Sequence, residues 1–238
     1  MDLSIIIPAH CEEKKISQDI EEAHLFLLQH HLQGEILVVD DGSTDQTAAV
    51  AEQTAKGKPV SVIRLAQQRG KGHAVRQGIL RSRGNTVMFC DSGSCTPLRY
   101  IDTGMALLKS GNCELAHGSR HLPDSTVIRS HSFYRKIIST VMRWVLIICL
   151  GVPRALSDTQ CGFKLYNGNI ARELYRQTII DGFLFDIEII LRALAKKYRI
   201  KEFPIEWRAD PDSRLSPRRH SGRVLAELWL LKKLKKTL

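Results

Sequence analysis

The sequence predicts an α/β fold with a mostly parallel sheet flanked by helices. Three observations lead there. Short, continuous β-branched runs alternate with segments whose apolar residues recur at helical spacing. Each early run stops at Pro, Gly or Asp. Carboxylates gather at those stops, which in a sheet of this class form the crevice where ligands bind.

In chain order, residues 3–7 form a first strand ended by Pro8, and residues 35–39 a second ended by Asp40-Asp41-Gly42. Between them Ile16, Ile20, Ala23 and Leu27 share one helix face, completing a βαβ unit. Ser43 or Thr44 caps the next helix, which Gly57 ends. A strand over 60–65, a helix over 71–83 and a fourth strand over 86–90 follow. Pro8-Ala9-His10, Asp40-Asp41 and Asp91 are thereby expected at the carboxyl ends of the strands. After Ser119-Arg120 the rhythm changes to a polar stretch through Ser132, an apolar helix over 137–150 and a loop around Asp158. This half is expected to handle a second substrate. Ile187, Ile190, Leu191, Leu194 and Tyr198 mark another helix, and residues 202–207 a late strand; there is no internal repeat.

The 238 residues are ample for a buried core, and 43% apolar with 25% charged residues excludes a mostly disordered or fibrous chain. Of the net charge of +10, residues 214–238 carry +7: eight Lys or Arg against Glu227. The apolar run over 145–152 is too short for the roughly 20 residues of a membrane-spanning helix. Six cysteines without a CxxC pair, and no secretory leader, fit a reducing, cytoplasmic setting. The basic end, where Trp229-Leu230-Leu231 precedes four lysines, has the pattern of an amphipathic helix lying on an anionic membrane surface. A solvated tail is the alternative; nucleic acid is not expected, because no recognition motif accompanies the charge. Nothing in the sequence sets an oligomeric state.

The segment Val38-Val-Asp-Asp-Gly-Ser-Thr-Asp45 puts three carboxylates at a strand end and helix start, where they can accept from a ribose hydroxyl or a base N–H. The same residues can simply shape a turn, with Asp45 favouring the helix N-terminus. GxGxxG is absent, and so is the lysine of a P-loop. Asp186 has the placement of an N-cap and Glu188 that of a first-turn carboxylate, with substrate contact as the other reading of both. Cys161 and Gly162 read as loop-shaping residues, and His30-His31 as helix surface.

Ile5-Ile-Ile-Pro-Ala-His-Cys-Glu-Glu13, the VVDDGSTD segment and Arg69-Gly-Lys-Gly-His-Ala-Val-Arg76 resemble three successive motifs of family 2 glycosyltransferases. Asp158-Thr-Gln-Cys-Gly-Phe-Lys164, Phe185-Asp-Ile-Glu188 and Glu202-Phe-Pro-Ile-Glu-Trp207 are most similar to the dolichyl-phosphate β-glucosyltransferase branch. The resemblance implies a glycosyltransferase A-type, Rossmann-like catalytic domain over 1–212, followed by the basic amphipathic tail over 213–238. It implies inverting transfer of glucose from UDP-glucose to a polyprenyl phosphate, by a peripheral enzyme at the cytoplasmic face of a membrane. Pro8, His10, Glu12, Asp40, Asp41, Lys71 and Asp91 are then expected to bind the nucleotide sugar, with Arg76 beside the donor loop. Asp158, Arg120 and Lys164 are expected to be catalytic, and Arg129, Arg135 and Gln160 to face the acceptor. His10 stands where many relatives carry Tyr.

The family's metal position is a DxD sequence holding Mg²⁺ or Mn²⁺; here it reads Asp91-Ser92-Gly93, leaving Asp91 as the metal ligand and weakening the site. Two other readings stay open: the same reaction with GDP-mannose or another nucleotide sugar, and a non-catalytic sugar-nucleotide-binding paralogue that lost turnover with the second carboxylate.

Overall fold

The computed structural model describes residues 1–129, 133–209 and 217–238, with the side chains of 1–128, 140–209 and 222–238. The first half builds four βα steps: β1 (Leu3–Ala9), α1 (Ile16–Gln29), β2 (Gly34–Asp40), α2 (Thr47–Ala55), β3 (Val60–Arg64), α3 (Lys71–Arg81), β4 (Thr86–Cys90) and α4 (Tyr100–Lys109). The second half contributes β5 (Leu115–Ser119), β6 (Thr126–Arg129), α5 (Phe133–Leu150), β7 (Phe163–Asn167), α6 (Gly168–Arg176), α7 (Phe185–Ala195), β8 (Ile200–Pro204), β9 (Glu206–Arg208) and α8 (Pro217–Lys235).

The main sheet has the order β3-β2-β1-β4-β7-β5-β8, and β6 pairs with β9 in a separate ribbon. All neighbours in the main sheet run parallel except β7, which is antiparallel to both β4 and β5. The start of β7 therefore lies at the same rim as the ends of β4 and β5. That reversal places residues 158–163 in the crevice.

Alternation along the strands feeds two cores. Leu3, Ile5, Ile7, Ile36, Val38 and Met88 pack on one face with Ile16, Ile20, Ala23 and Leu27 of α1. Ile6, Leu37, Val39, Val87 and Phe89 pack on the other with α3, α6 and α7. Both faces are covered, so these strands read as unbroken apolar runs, and each fully buried aliphatic side chain contributes about 1.5–3 kcal/mol. On that second face α5 and α8 join the core through Leu146, Leu150 and Leu231. Their opposite sides leave Val141, Trp144, Ile148, Leu225 and Trp229 exposed.

Several expected boundaries move. The second helix starts at Thr47, because the Ser43 hydroxyl donates to Asp40 and accepts from the Cys11 N–H, while Asp45 Oδ1 accepts from the Thr47 N–H at 3.0 Å. The strand expected over 202–207 is two strands, β8 in the main sheet and β9 in the ribbon, parted at Ile205. Asp186 is not an N-cap: the cap position is Leu184, and Asp186 lies in the first turn.

Candidate active site

Asp41, at the end of β2, accepts from the Arg69 N–H at 3.1 Å and the Gly70 N–H at 2.7 Å. Gly70, at φ 125°, lets both amides turn toward that carboxylate. Asp40 is buried and receives the Ser43 N–H and hydroxyl. His10 Nδ1 lies 3.1 Å from the Asp41 carbonyl, and the Glu12 N–H donates to Thr47 Oγ1 at 2.7 Å. Pro8 lies in β1, in register with Val39. These five residues gather near the carboxyl ends of β1 and β2.

The loop held by Asp41 leads into α3, whose first residue, Lys71, sets its ammonium 2.5 Å from Asp91 Oδ1 at the tip of β4. Burial works against that charge, but Asp91 and Asp186 outweigh it and hold the Lys71 pKa above the ordinary lysine value. Asp186 pairs with Lys164, which is fully buried in β7 and also donates to the Thr159 carbonyl at 2.9 Å. Burial pushes the Asp186 carboxyl up, with Lys164 and Lys71 pulling against it. Asp91, Lys71, Asp186 and Lys164 thus form one alternating chain of charge running from the rim into the core.

Asp158, only 4% exposed, is closed by Arg120: Nε donates to Oδ2 at 2.6 Å, Nη2 to Oδ1 at 2.8 Å, and the Arg120 backbone N–H to Oδ2 at 3.0 Å. Burial raises the Asp158 pKa, but the guanidinium overrides it and leaves the carboxyl below its usual range. Glu202 anchors the same loop from β8, accepting from the Ser157 and Asp158 amides at 2.8 and 2.7 Å. Arg120 stacks over Trp207 of β9, 5.0 Å from the ring centre. Arg120 thus stands 20% exposed at the rim with Asp158 beneath it. Cys161 sits among these groups as a neutral thiol, its pKa pushed up to about 12 by burial.

Gln160 is exposed on this loop. The side chains of Arg129 and Arg135 lie outside the described residues. Arg76 does not join the charge chain: it donates to the Thr178 carbonyl and pairs with Asp181 at 2.9 Å. Glu188 accepts from the Ile179 and Ile180 amides and from Arg192, a buried scaffold for α7.

Sequence reasoning missed Asp19. This buried carboxylate of α1 accepts from Ser92 Oγ at 2.5 Å, the Gly93 N–H at 3.0 Å and the Ser94 N–H at 3.1 Å. Its signal was a lone carboxylate on the apolar stripe of α1. Asp19 pins the loop after β4 and closes a cleft shared with Glu22, Asp91, Cys95, Cys161 and Trp207. No group of three or more His, Cys, Asp or Glu among the described residues is arranged to hold a metal ion. Asp91 can supply one carboxylate oxygen. That fits a hard cation which takes its remaining ligands from substrate phosphates and water.

A mostly parallel sheet with acidic strand tips and a reversed β7 defines a glycosyltransferase A-type fold, and solved structures agree in shape. Glucosyl-3-phosphoglycerate synthase from Mycobacterium tuberculosis, in complex with Mn²⁺, UDP and phosphoglyceric acid, superposes with a TM-score of 0.75 at 19% identity, covering 97% of this chain and 78% of that one. Its complex with Mn²⁺ and UDP-glucose gives 0.74 at 18%, covering 97% and 78%. The chain belongs to glycosyl transferase family 2, whose model matches residues 4–147, and it is a glycosyltransferase. Among curated proteins it is 32% identical over 246 residues to the dolichyl-phosphate beta-glucosyltransferase of Drosophila melanogaster, covering 97% of this chain and 75% of that protein. The enzyme of the same name from Saccharomyces cerevisiae is 30% identical over 248 residues, covering 97% and 74%. That of Dictyostelium discoideum is 32% identical over 228 residues, covering 90% and 69%.

Proposed function

We propose that this chain transfers glucose, with inversion, from UDP-glucose to a polyprenyl phosphate of the dolichyl type. The observation that carries this reading is the charge chain Asp91–Lys71–Asp186–Lys164 beside the exposed edge of Arg120. Donor and acceptor both bring phosphate, and two anions meet only where cations are fixed in advance. The name shared by the relatives supports glucose and the dolichyl phosphate.

In this reading Pro8, His10, Glu12, Asp40 and Asp41 receive the nucleoside, and Lys71 and Asp91 the diphosphate. Arg120 is the catalytic group at the rim, Asp158 and the fully buried Lys164 act beneath it as positioning residues, and Gln160, Arg129 and Arg135 meet the acceptor. The acceptor phosphate is anionic near neutral pH and needs no strong base. Rate therefore comes from alignment and charge neutralisation. Arg120 faces the acceptor phosphate, Asp158 fixes the guanidinium, and Lys71 stabilises the departing diphosphate. Mg²⁺ or Mn²⁺ held by Asp91 and the donor oxygens supplies further neutralisation when bound.

Residues 1–212 carry the crevice, and α8 of the basic segment packs on them through Leu231. The basic segment 213–238 rests on the anionic cytoplasmic face of a membrane, aided by the outward apolar residues of α5 and α8. No helix among the described residues is long and apolar enough to cross a membrane. The test is turnover of UDP-glucose, UDP-galactose and GDP-mannose with a short polyprenyl phosphate and Mn²⁺. Lipid-linked glucose from UDP-glucose is the expected product. Lipid product from GDP-mannose instead would move the donor assignment, and UDP binding without any lipid product would leave a sugar-nucleotide-binding protein.

A further inference from the structure

We propose that Arg223 and Glu227 of α8 are positioning residues for the donor loop and for the start of α7, a role that rests on the transferase reading above. Arg223 Nη2 donates to the Arg69 carbonyl at 2.5 Å, immediately before the Gly70-Lys71 turn. Arg223 Nε donates to Glu227 Oε1 at 3.0 Å, and Glu227 Oε2 accepts the Leu184 N–H at 3.1 Å, two residues before Asp186. One ion pair on α8 therefore touches both segments that present the central Lys71 and Asp186.

Four further contacts bind those segments to each other. The Gly72 and His73 amides donate to the Gly182 and Asp181 carbonyls at 3.3 and 3.1 Å. The Asp181 carboxylate pairs with both Arg69, at 2.6 Å, and Arg76. Glycine makes the approach possible: a Cβ on Gly70 would stand 2.8 Å from Arg223 Nη2, one on Gly72 2.6 Å from Phe185 Cβ, and one on Gly182 would overlap the Glu227 carboxylate. Glu227 is a buried carboxylate on an otherwise cationic helix and Arg223 is half-exposed. Neither reaches the crevice itself. Together they fix the spacing between α3 and α7, on which the Lys71–Asp91 and Lys164–Asp186 pairs depend.

The experiment uses the full chain, with UDP and Mn²⁺ in calorimetry and UDP-glucose with a short polyprenyl phosphate in kinetics. Arg223→Gln cuts the link to Arg69, and Glu227→Gln keeps an acceptor for Leu184 while losing the ion pair. Both are expected to weaken UDP binding and raise the donor KM by about tenfold, the scale of a displacement well under 1 Å, with a smaller change in the acceptor KM. Leu228→Ala, which loosens α8 without touching the pair, is expected to lower the melting temperature and spare UDP affinity. Wild-type UDP affinity in folded Arg223→Gln overturns the proposal, as does an equal loss of affinity in Leu228→Ala. If Glu227→Gln fails to fold, Arg223→Gln decides. A wild-type chain that neither binds UDP nor turns over removes the transferase reading itself, and the positioning role falls with it.

Discussion

Gly162 and Asp91 are packed so closely that a Cβ on the glycine would overlap both carboxylate oxygens. The same two residues share a backbone bond, Asp91 N–H to the Gly162 carbonyl at 2.9 Å, so neither can retreat alone. Gly162→Ala is expected to rotate the Asp91 carboxylate away from Lys71 and cut turnover by roughly 10²-fold, the scale seen for small misplacements of a catalytic group. Steady-state kinetics beside a thermal melt checks this; full activity in a folded variant would show that the Asp91 geometry is irrelevant.

Asp158→Asn leaves the Arg120 guanidinium without its carboxylate counter-charge in a site where little water can replace it. Breaking one side of a buried pair costs about 3–5 kcal/mol; partial exposure of Arg120 puts this case at the lower end. Denaturant unfolding should show a lower midpoint with an unchanged slope, and turnover should fall more than UDP affinity. Equal stability in the variant would mean the pair contributes nothing to the fold.

His117 in β5 is buried, and its Nε2 has no hydrogen-bond partner among the described residues. Burial and the nearby Lys164 charge hold its pKa well below the ordinary 6.5, against a smaller opposing pull from Asp158. Below pH 6.5 the unfolded chain takes up a proton that folded His117 refuses. Stability therefore falls with pH from that point, by at most about 1.4 kcal/mol per unit for one such group. His117→Phe should flatten the slope between pH 6.5 and 5 by about one proton. His73, also held below 6.5 chiefly by burial, keeps part of the dependence. An unaltered slope in the variant sinks the assignment.

Gly93→Asp is expected to give no gain in turnover. Gly93 has φ 95°, where a side chain is strained, and its N–H is committed to Asp19, so a new carboxylate would arrive beside an existing one. Chelation should suppress turnover of the native chain and Mn²⁺ restore it. A large rise in activity for Gly93→Asp would show instead that the loop can reopen and that a second carboxylate is what the site lacks.

Flotation with anionic vesicles should be strong in low salt and weak in high salt, since each well-placed cation near the surface contributes about 1 kcal/mol. Replacing Trp144 and Trp229 by Ser should weaken it in both, because those rings are the bulkiest of the exposed apolar side chains of α5 and α8. Absence of flotation at low salt rejects membrane docking.

The first half of the fold was legible because β1, β2 and β4 are buried on both faces and spell unbroken apolar runs. The second half hid for the same physical reason in reverse. β5 is wholly buried but reads LAHGS, and β7 carries Lys164 in its interior, because Ser119 and Lys164 find partners in Ser157, Thr159 and Asp186 that only the tertiary structure supplies. The motif residues at the strand tips were found by pattern, with Asp158, Arg120 and Lys164 meeting around Cys161. Asp19, Glu202, Arg223 and Glu227 act from distant elements on backbone amides or carbonyls, and no local spacing announces that.

The reversed strand also sets an order of events during synthesis. In the sheet, β5 touches only β7 and β8, and β4 meets β5 solely through β7. A nascent chain that has emerged through residue 129 therefore carries β4 with an open edge and β5 with no neighbour, a state prone to wrong pairing. The gap between β4 and β5 is closed by β7, translated more than thirty residues later, and β8 covers the remaining edge of β5 only after residue 200, so the segment that follows the crevice loop is also the one that first joins the two halves of the sheet.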